Sequence, residues 1–181
     1  RDSLADGRIV EKNSFRRSNY FDFVGQECRH VQSSVGILDM SAFSKASVEG
    51  SDSETWLNSI LANKVPSKPG RIALCHMLSL NGGVRAEFTV YRKSRNSFYL
   101  VFSGATERHD WDYLNKLLPK NRSINIQNIT TQKGVFVIAG PKSRSLLQKL
   151  TDTSLDNEHF PWLTGKTLSL IHISEPTRRY F

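Results

Sequence analysis

The chain has 181 residues, 38% of them hydrophobic, and a formal net charge of +8, which suits one core-bearing domain or a domain with part of another. No apolar run approaches the ~20 residues of a membrane helix, and two cysteines, Cys28 and Cys75, form neither a metal pair nor a disulfide framework, which favours a reducing compartment. The basic residues fall in small groups such as Arg16-Arg17, Arg92-Lys93 and Lys142-Ser143-Arg144; they read as a solvated rim, and no basic face interleaved with aromatics argues for nucleic acid.

Residues 1–17 are polar and charged without a period and read as linker. Phe21, Val24, Cys28 and Val31 then recur at helical spacing and predict about three turns of helix. Val35–Met40 reads as a strand or extended entry, and Lys45–Gly50 as a second short strand. Ser51-Asp52-Ser53-Glu54 has the capping-box form, with Ser51 as N-cap and Glu54 reaching back. It opens a helix carrying Trp56, Leu57, Ile60 and Leu61, which stops before Pro66.

Arg71–Leu80 alternates, with Ile72, Leu74, His76, Leu78 and Leu80 on one face. Asn81-Gly82-Gly83 is a strong hairpin signal, because such turns need positive φ. The returning strand, Val84–Tyr91, puts Val84, Ala86, Phe88 and Val90 on one face and Arg85, Glu87, Thr89 and Tyr91 on the other. A carboxylate and a phenol thus share one face of a rigid element, where they could read a polar heteroaromatic ligand or form part of a half-solvated sheet. Phe98–Phe102 is a third strand of this sheet. Thr106 caps a helix with Trp111, Leu114, Leu117 and Leu118, ended by Pro119. Ile124–Ile129 and Val135–Ala139 read as strands, and after Gly140-Pro141 a helix over Ser143–Leu150 turns Leu146, Leu147 and Leu150 inward. Strands in runs joined by short turns favour an α+β fold, mainly antiparallel sheet with flanking helices, over a doubly wound parallel sheet.

With these elements in place, the chain resembles the folate-binding aminomethyltransferase (T-protein) domain. That domain occurs in the glycine cleavage system and in the C-terminal half of FAD-dependent dimethylglycine and sarcosine dehydrogenases. The stretches that carry the resemblance are Ser14–Phe21, Val35–Ser41, Asn81–Glu87, Ser103–Asp110 and Ala139–Arg144, in family order between about Ser14 and Leu168. The entry Phe15-Arg16-Arg17-Ser18-Asn19-Tyr20-Phe21 favours the dehydrogenase fusions. On this reading residues 1–20 link to an upstream flavin module that holds FAD, and residues 21–168 form an incomplete T-protein-like domain. Residues 169–181 do not continue the resemblance and read as a non-native tail of the kind that adapter read-through produces.

The resemblance implies tetrahydrofolate as cofactor and one-carbon transfer as activity. An oxidised N-methyl amine would leave an iminium or formaldehyde equivalent, and a folate amine would attack that carbon and shed a proton. T-proteins carry two adjacent aspartates after the Gly-Gly turn, where this sequence has Ala86-Glu87. Glu87 therefore holds the position of the functional carboxylate, one methylene longer, and would accept that proton and favour the cationic intermediate. Partial burial would suit it to the task. Its bland alternative is an ion pair to Arg85 or to a neighbouring strand. Tyr91 matches the folate-contacting tyrosine, Ser103 stands where T-proteins often have asparagine, and Met40 lies near the ligand edge or in the core.

His76 reads as a hydrogen-bonded core residue and His109 as solvated. No Gly-rich dinucleotide fingerprint is present, so FAD belongs to the other module. The opposite wall of the folate pocket belongs to a later segment of the family fold. The implied partners are folate, a small N-methyl amine-derived one-carbon unit and the flavin domain, with neither nucleic acid nor membrane. The compartment would be bacterial cytoplasm or mitochondrial matrix. A T-protein-like regulatory subunit of pyruvate dehydrogenase phosphatase has a similar build and supplies a non-catalytic alternative.

Overall fold

The computed structural model describes residues 15–169, preceded by the paired strands β1 (Leu4–Ala5) and β2 (Arg8–Ile9). That two-rung ladder lies inside the stretch read as linker. Most of the tail over 169–181 lies outside the described residues.

The remaining elements follow in order: α1 (Phe21–Ser33), β3 (Gly36–Asp39), β4 (Ser44–Glu49), α2 (Ser53–Ile60), β5 (Ile72–Leu78), β6 (Val84–Ser94), β7 (Ser97–Phe102), α3 (Glu107–Lys116), β8 (Asn125–Asn128), a 3-10 turn at Thr130–Gln132, β9 (Phe136–Ala139) and α4 (Ser143–Gln148). They make an α+β fold. Strands β5-β6-β7-β4-β8 form an antiparallel five-stranded sheet, and β3 and β9 form a separate antiparallel pair.

One face of the larger sheet carries the core. Ala46 and Val48 of β4, Cys75 and Met77 of β5, Phe88 and Val90 of β6, and Phe98, Leu100 and Phe102 of β7 pack with Trp56 and Leu57 of α2 and Leu114 of α3. The rings of Phe88 and Phe102 sit 5.2 Å apart and tilted. Each of the larger aliphatic and aromatic side chains contributes roughly 1.5–3 kcal/mol by leaving water, which makes this layer the main source of stability.

The hairpin forms as its glycines require. Gly82 adopts φ +78°, and the Ser79 N–H donates to the Gly83 carbonyl at 2.8 Å. A register shift between Met77 and Leu78 follows, beyond which His76 stands directly opposite Glu87.

Four expectations need correction. The face of β5 bearing Ile72, Leu74, His76 and Leu78 points away from the core, which takes Cys75 and Met77 instead. His76 is therefore not a core residue. The capping box does not form: Asp52 is the N-cap of α2, no side chain caps it, and the Glu54 carboxylate accepts from Arg92 Nη2 at 2.7 Å. Arg92 is buried and also donates to the carbonyls of Pro66 and Arg95, so its need for an anion outweighs a local cap. Thr106 does sit at the N-cap of α3, but its hydroxyl donates to Asp110 rather than to the backbone. Finally, α4 turns only Leu147 partly inward, while Leu146 and Leu150 are exposed.

Candidate functional site

The site grows from the place where β6 outruns β7. The β7 ladder to β6 ends at the Phe88–Phe102 pair, so Val84–Glu87 continue without a β7 partner. The chain leaving β7 turns away through Ser103, Gly104, Ala105 and Thr106 into α3. A concavity of about 750 Å³ opens between these two segments, lined by Arg85, Ala86, Glu87 and Thr89 on one side and Val101, Ser103 and Thr106 on the other, with Ala42, Phe43 and Asp110 closing it.

Three ties fix that concavity. Gly104 passes so close to the loop before β4 that an added Cβ would lie 2.0 Å from the Ala42 carbonyl oxygen, so only glycine fits. The Ser44 hydroxyl donates to the Ser103 carbonyl at 3.0 Å. Lys45 is fully buried, and its ammonium donates to the carbonyls of Ser41 (2.8 Å) and Phe43 (2.6 Å), holding the same loop.

Glu107, the first residue of α3, adds a fourth constraint. Its Oε1 accepts from Asn128 at 2.6 Å and from the Thr130 hydroxyl at 2.8 Å. These bonds, Asn128 first, lower its carboxyl below the ordinary value of 4.5. The start of α3 is thereby bound to the turn after β8.

Glu87 and Ser103 face this one concavity. The Glu87 side chain is 58% exposed, so the partial burial anticipated for it amounts to less than half. Its Oε2 accepts from His76 Nε2 at 3.0 Å. The partner is thus on the neighbouring strand and is not Arg85. Arg85 lies over the Tyr113 ring at 3.8 Å and donates from Nη2 to His109 Nε2 at 3.0 Å. With Nε2 accepting, His109 donates from Nδ1 to the buried Asp110 at 2.9 Å. Asp110 is satisfied on its other oxygen by Thr106 at 2.6 Å. This chain of bonds ties the Arg85 guanidinium to α3 at the rim of the concavity, a feature that sequence reading missed because His109 was read as simply solvated.

Tyr91 and Met40 lie elsewhere. Tyr91 points to the same side of β6 as Glu87, yet backbone covers its ring: a Cβ on Gly165 would come within 2.6 Å of it, and Thr164 bridges to Arg71 beside it. Met40 follows β3, is half-buried, and bonds through its N–H to the Val135 carbonyl at 2.8 Å. Neither lines the concavity. Among the described residues, no group of three or more His, Cys, Asp or Glu could hold a metal ion, and no helix is long and apolar enough to cross a membrane.

Known proteins place the chain. It is 38% identical over 161 residues to mitochondrial dimethylglycine dehydrogenase of Mus musculus, a match covering 88% of this chain and 18% of that protein. The fold is similar to that of the glycine cleavage system aminomethyltransferase T from Bartonella henselae, with a TM-score of 0.64 at 19% identity over 69% of this chain and 34% of that one. It is also similar to a chain of the heterotetrameric sarcosine oxidase from Corynebacterium sp. U-96, with a TM-score of 0.60 at 16% identity over 87% of this chain and 77% of that one. The family model described as the GCVT N-terminal domain matches residues 3–176, and the chain belongs to that family.

Proposed function

We propose that this chain is the tetrahydrofolate-facing part of a one-carbon transfer domain in a dimethylglycine or sarcosine dehydrogenase-like flavoprotein, with Glu87 as the base. The observation that carries the reading is the shared concavity of Glu87 and Ser103, in a chain of the GCVT family. Its lining suits a polar heteroaromatic ring: Ala42, Phe43 and Val101 give apolar walls, and the carboxylates of Glu87 and Asp110, the hydroxyls of Thr89, Ser103 and Thr106 and the Arg85 guanidinium supply the polar groups. Bound there, the folate would supply the amine nitrogens that take up the one-carbon unit.

The chain's own residues then do three things. Glu87 takes a proton at Oε1, the carboxylate oxygen that has no hydrogen-bond partner among the described residues. Its charge also stabilises positive charge that develops beside it. Ser103 offers a hydroxyl on the facing rim. FAD and amine oxidation belong to a separate module of the same protein. The compartment is the mitochondrial matrix in a eukaryote, a reading supported by the mitochondrial mouse relative, or the cytoplasm in a bacterium.

The test is Glu87→Gln in a full-length protein carrying this domain. Folate-dependent methylene transfer is expected to fall by about 100-fold or more, with amine oxidation unchanged. Transfer at the wild-type rate would contradict the assignment of the base.

A further inference from the structure

We propose that His76 is the positioning residue for Glu87, fixing which carboxylate oxygen faces the concavity. This rests on the reading of Glu87 as the base. The two residues are directly opposed in the β5–β6 register, and Nε2 of His76 donates to Oε2 of Glu87 at 3.0 Å. A glutamate on an open sheet face otherwise samples many rotamers, and a catalytic group needs one. Engaging Oε2 from the β5 side leaves Oε1 without a partner among the described residues, on a side chain that lines the concavity beyond the end of β7.

His76 is itself held. Its N–H donates to Asn63 Oδ1 at 3.2 Å, and its carbonyl accepts from the Ala62 N–H at 2.8 Å. The amide of Asn63 also donates to the Leu74 carbonyl at 2.9 Å. The loop after α2 therefore covers the outer edge of β5 and locks the backbone that carries the imidazole. Leu74 and Leu78, half-exposed on the same face, flank it two residues away on either side. Arg85 cannot take over the role while it is stacked on Tyr113 and bonded to His109.

As a stabilising ion pair this contact is weak, because both partners are more than a third exposed. Its effect should appear in turnover. In the full-length protein, His76→Leu is expected to lower kcat for methylene transfer about ten-fold and leave the folate KM within about two-fold. His76→Gln keeps an N–H donor at similar reach and is expected to recover most of the loss. Wild-type turnover in His76→Leu, alongside a collapsed Glu87→Gln, would overturn the positioning role and leave Glu87 as the base. Equal losses in His76→Leu and His76→Gln would also overturn it, since the donor would then be irrelevant. An unaffected Glu87→Gln would remove the base and the positioning role together.

Discussion

The five-stranded sheet and the β3–β9 pair are both rich in apolar residues, yet they end up in opposite states. In the larger sheet Phe88, Val90, Leu100 and Phe102 are closed over by α2 and α3. In the smaller, Ile37 remains 69% exposed and Phe136 60%, and α1, which borders it, buries none of its residues. A groove of about 890 Å³ lined by α1, β3 and β9 stays open there. The difference is one of cover and not of composition: apolar side chains contribute only when a second layer takes them out of water. The covered layer is also the one that presents Glu87, so the candidate site stands on the well-packed half of the molecule.

The largest expected effects separate the two halves. Phe88→Ala should lose about 3–5 kcal/mol of unfolding free energy in a urea titration, because it opens a cavity in a closed core. Ile37→Ala should lose under about 0.5 kcal/mol, since its side chain already faces solvent. Equal losses would mean that the β3–β9 pair carries packing comparable to the core.

A smaller effect sharpens the comparison within the covered half. Glu107 has its carboxyl lowered by hydrogen bonds to Asn128 and Thr130, so its stabilisation is present in full above about pH 4.5. It is lost as pH falls through the lower folded value. Glu107→Gln should therefore be less stable than wild type by about 1 kcal/mol at pH 7, a figure already discounted for solvent screening. That gap should close on acidification from pH 4.5 downwards. A gap independent of pH would show that shape, and not charge, joins α3 to the turn after β8.

Much of the architecture was legible in the residues, for identifiable reasons. Asn81-Gly82-Gly83 marked the hairpin because few other residues accept the backbone that Gly82 adopts. Strict alternation after the turn then put Glu87 on the face opposite Phe88 and Val90. What alternation could not decide was the inner face of β5, where both sets of positions are apolar. Leu74 and Leu78 look more buried by size than Cys75 and Met77, but pairing with β6 selects the latter.

Glu54 was misread for a related reason. A capping box is a local pattern, whereas Arg92 lies 38 residues away and becomes its neighbour only when β6 folds against α2. The His76–Glu87 contact is intermediate. Counting outward from the turn brings the two strands together, but the irregularity at Met77 and Leu78 shifts the count by one. The coverage of Tyr91 by Gly165, across 74 residues, had no local signal at all.

The most direct test is to map a reduced folate onto the chain by NMR, titrating isotope-labelled protein with 5-formyltetrahydrofolate to millimolar concentration. Saturable amide shifts should cluster at residues 42–43, 84–87 and 103–106, around Glu87 and Ser103. Shifts confined to the groove between α1 and the β3–β9 pair would contradict a folate site on the open face of the larger sheet.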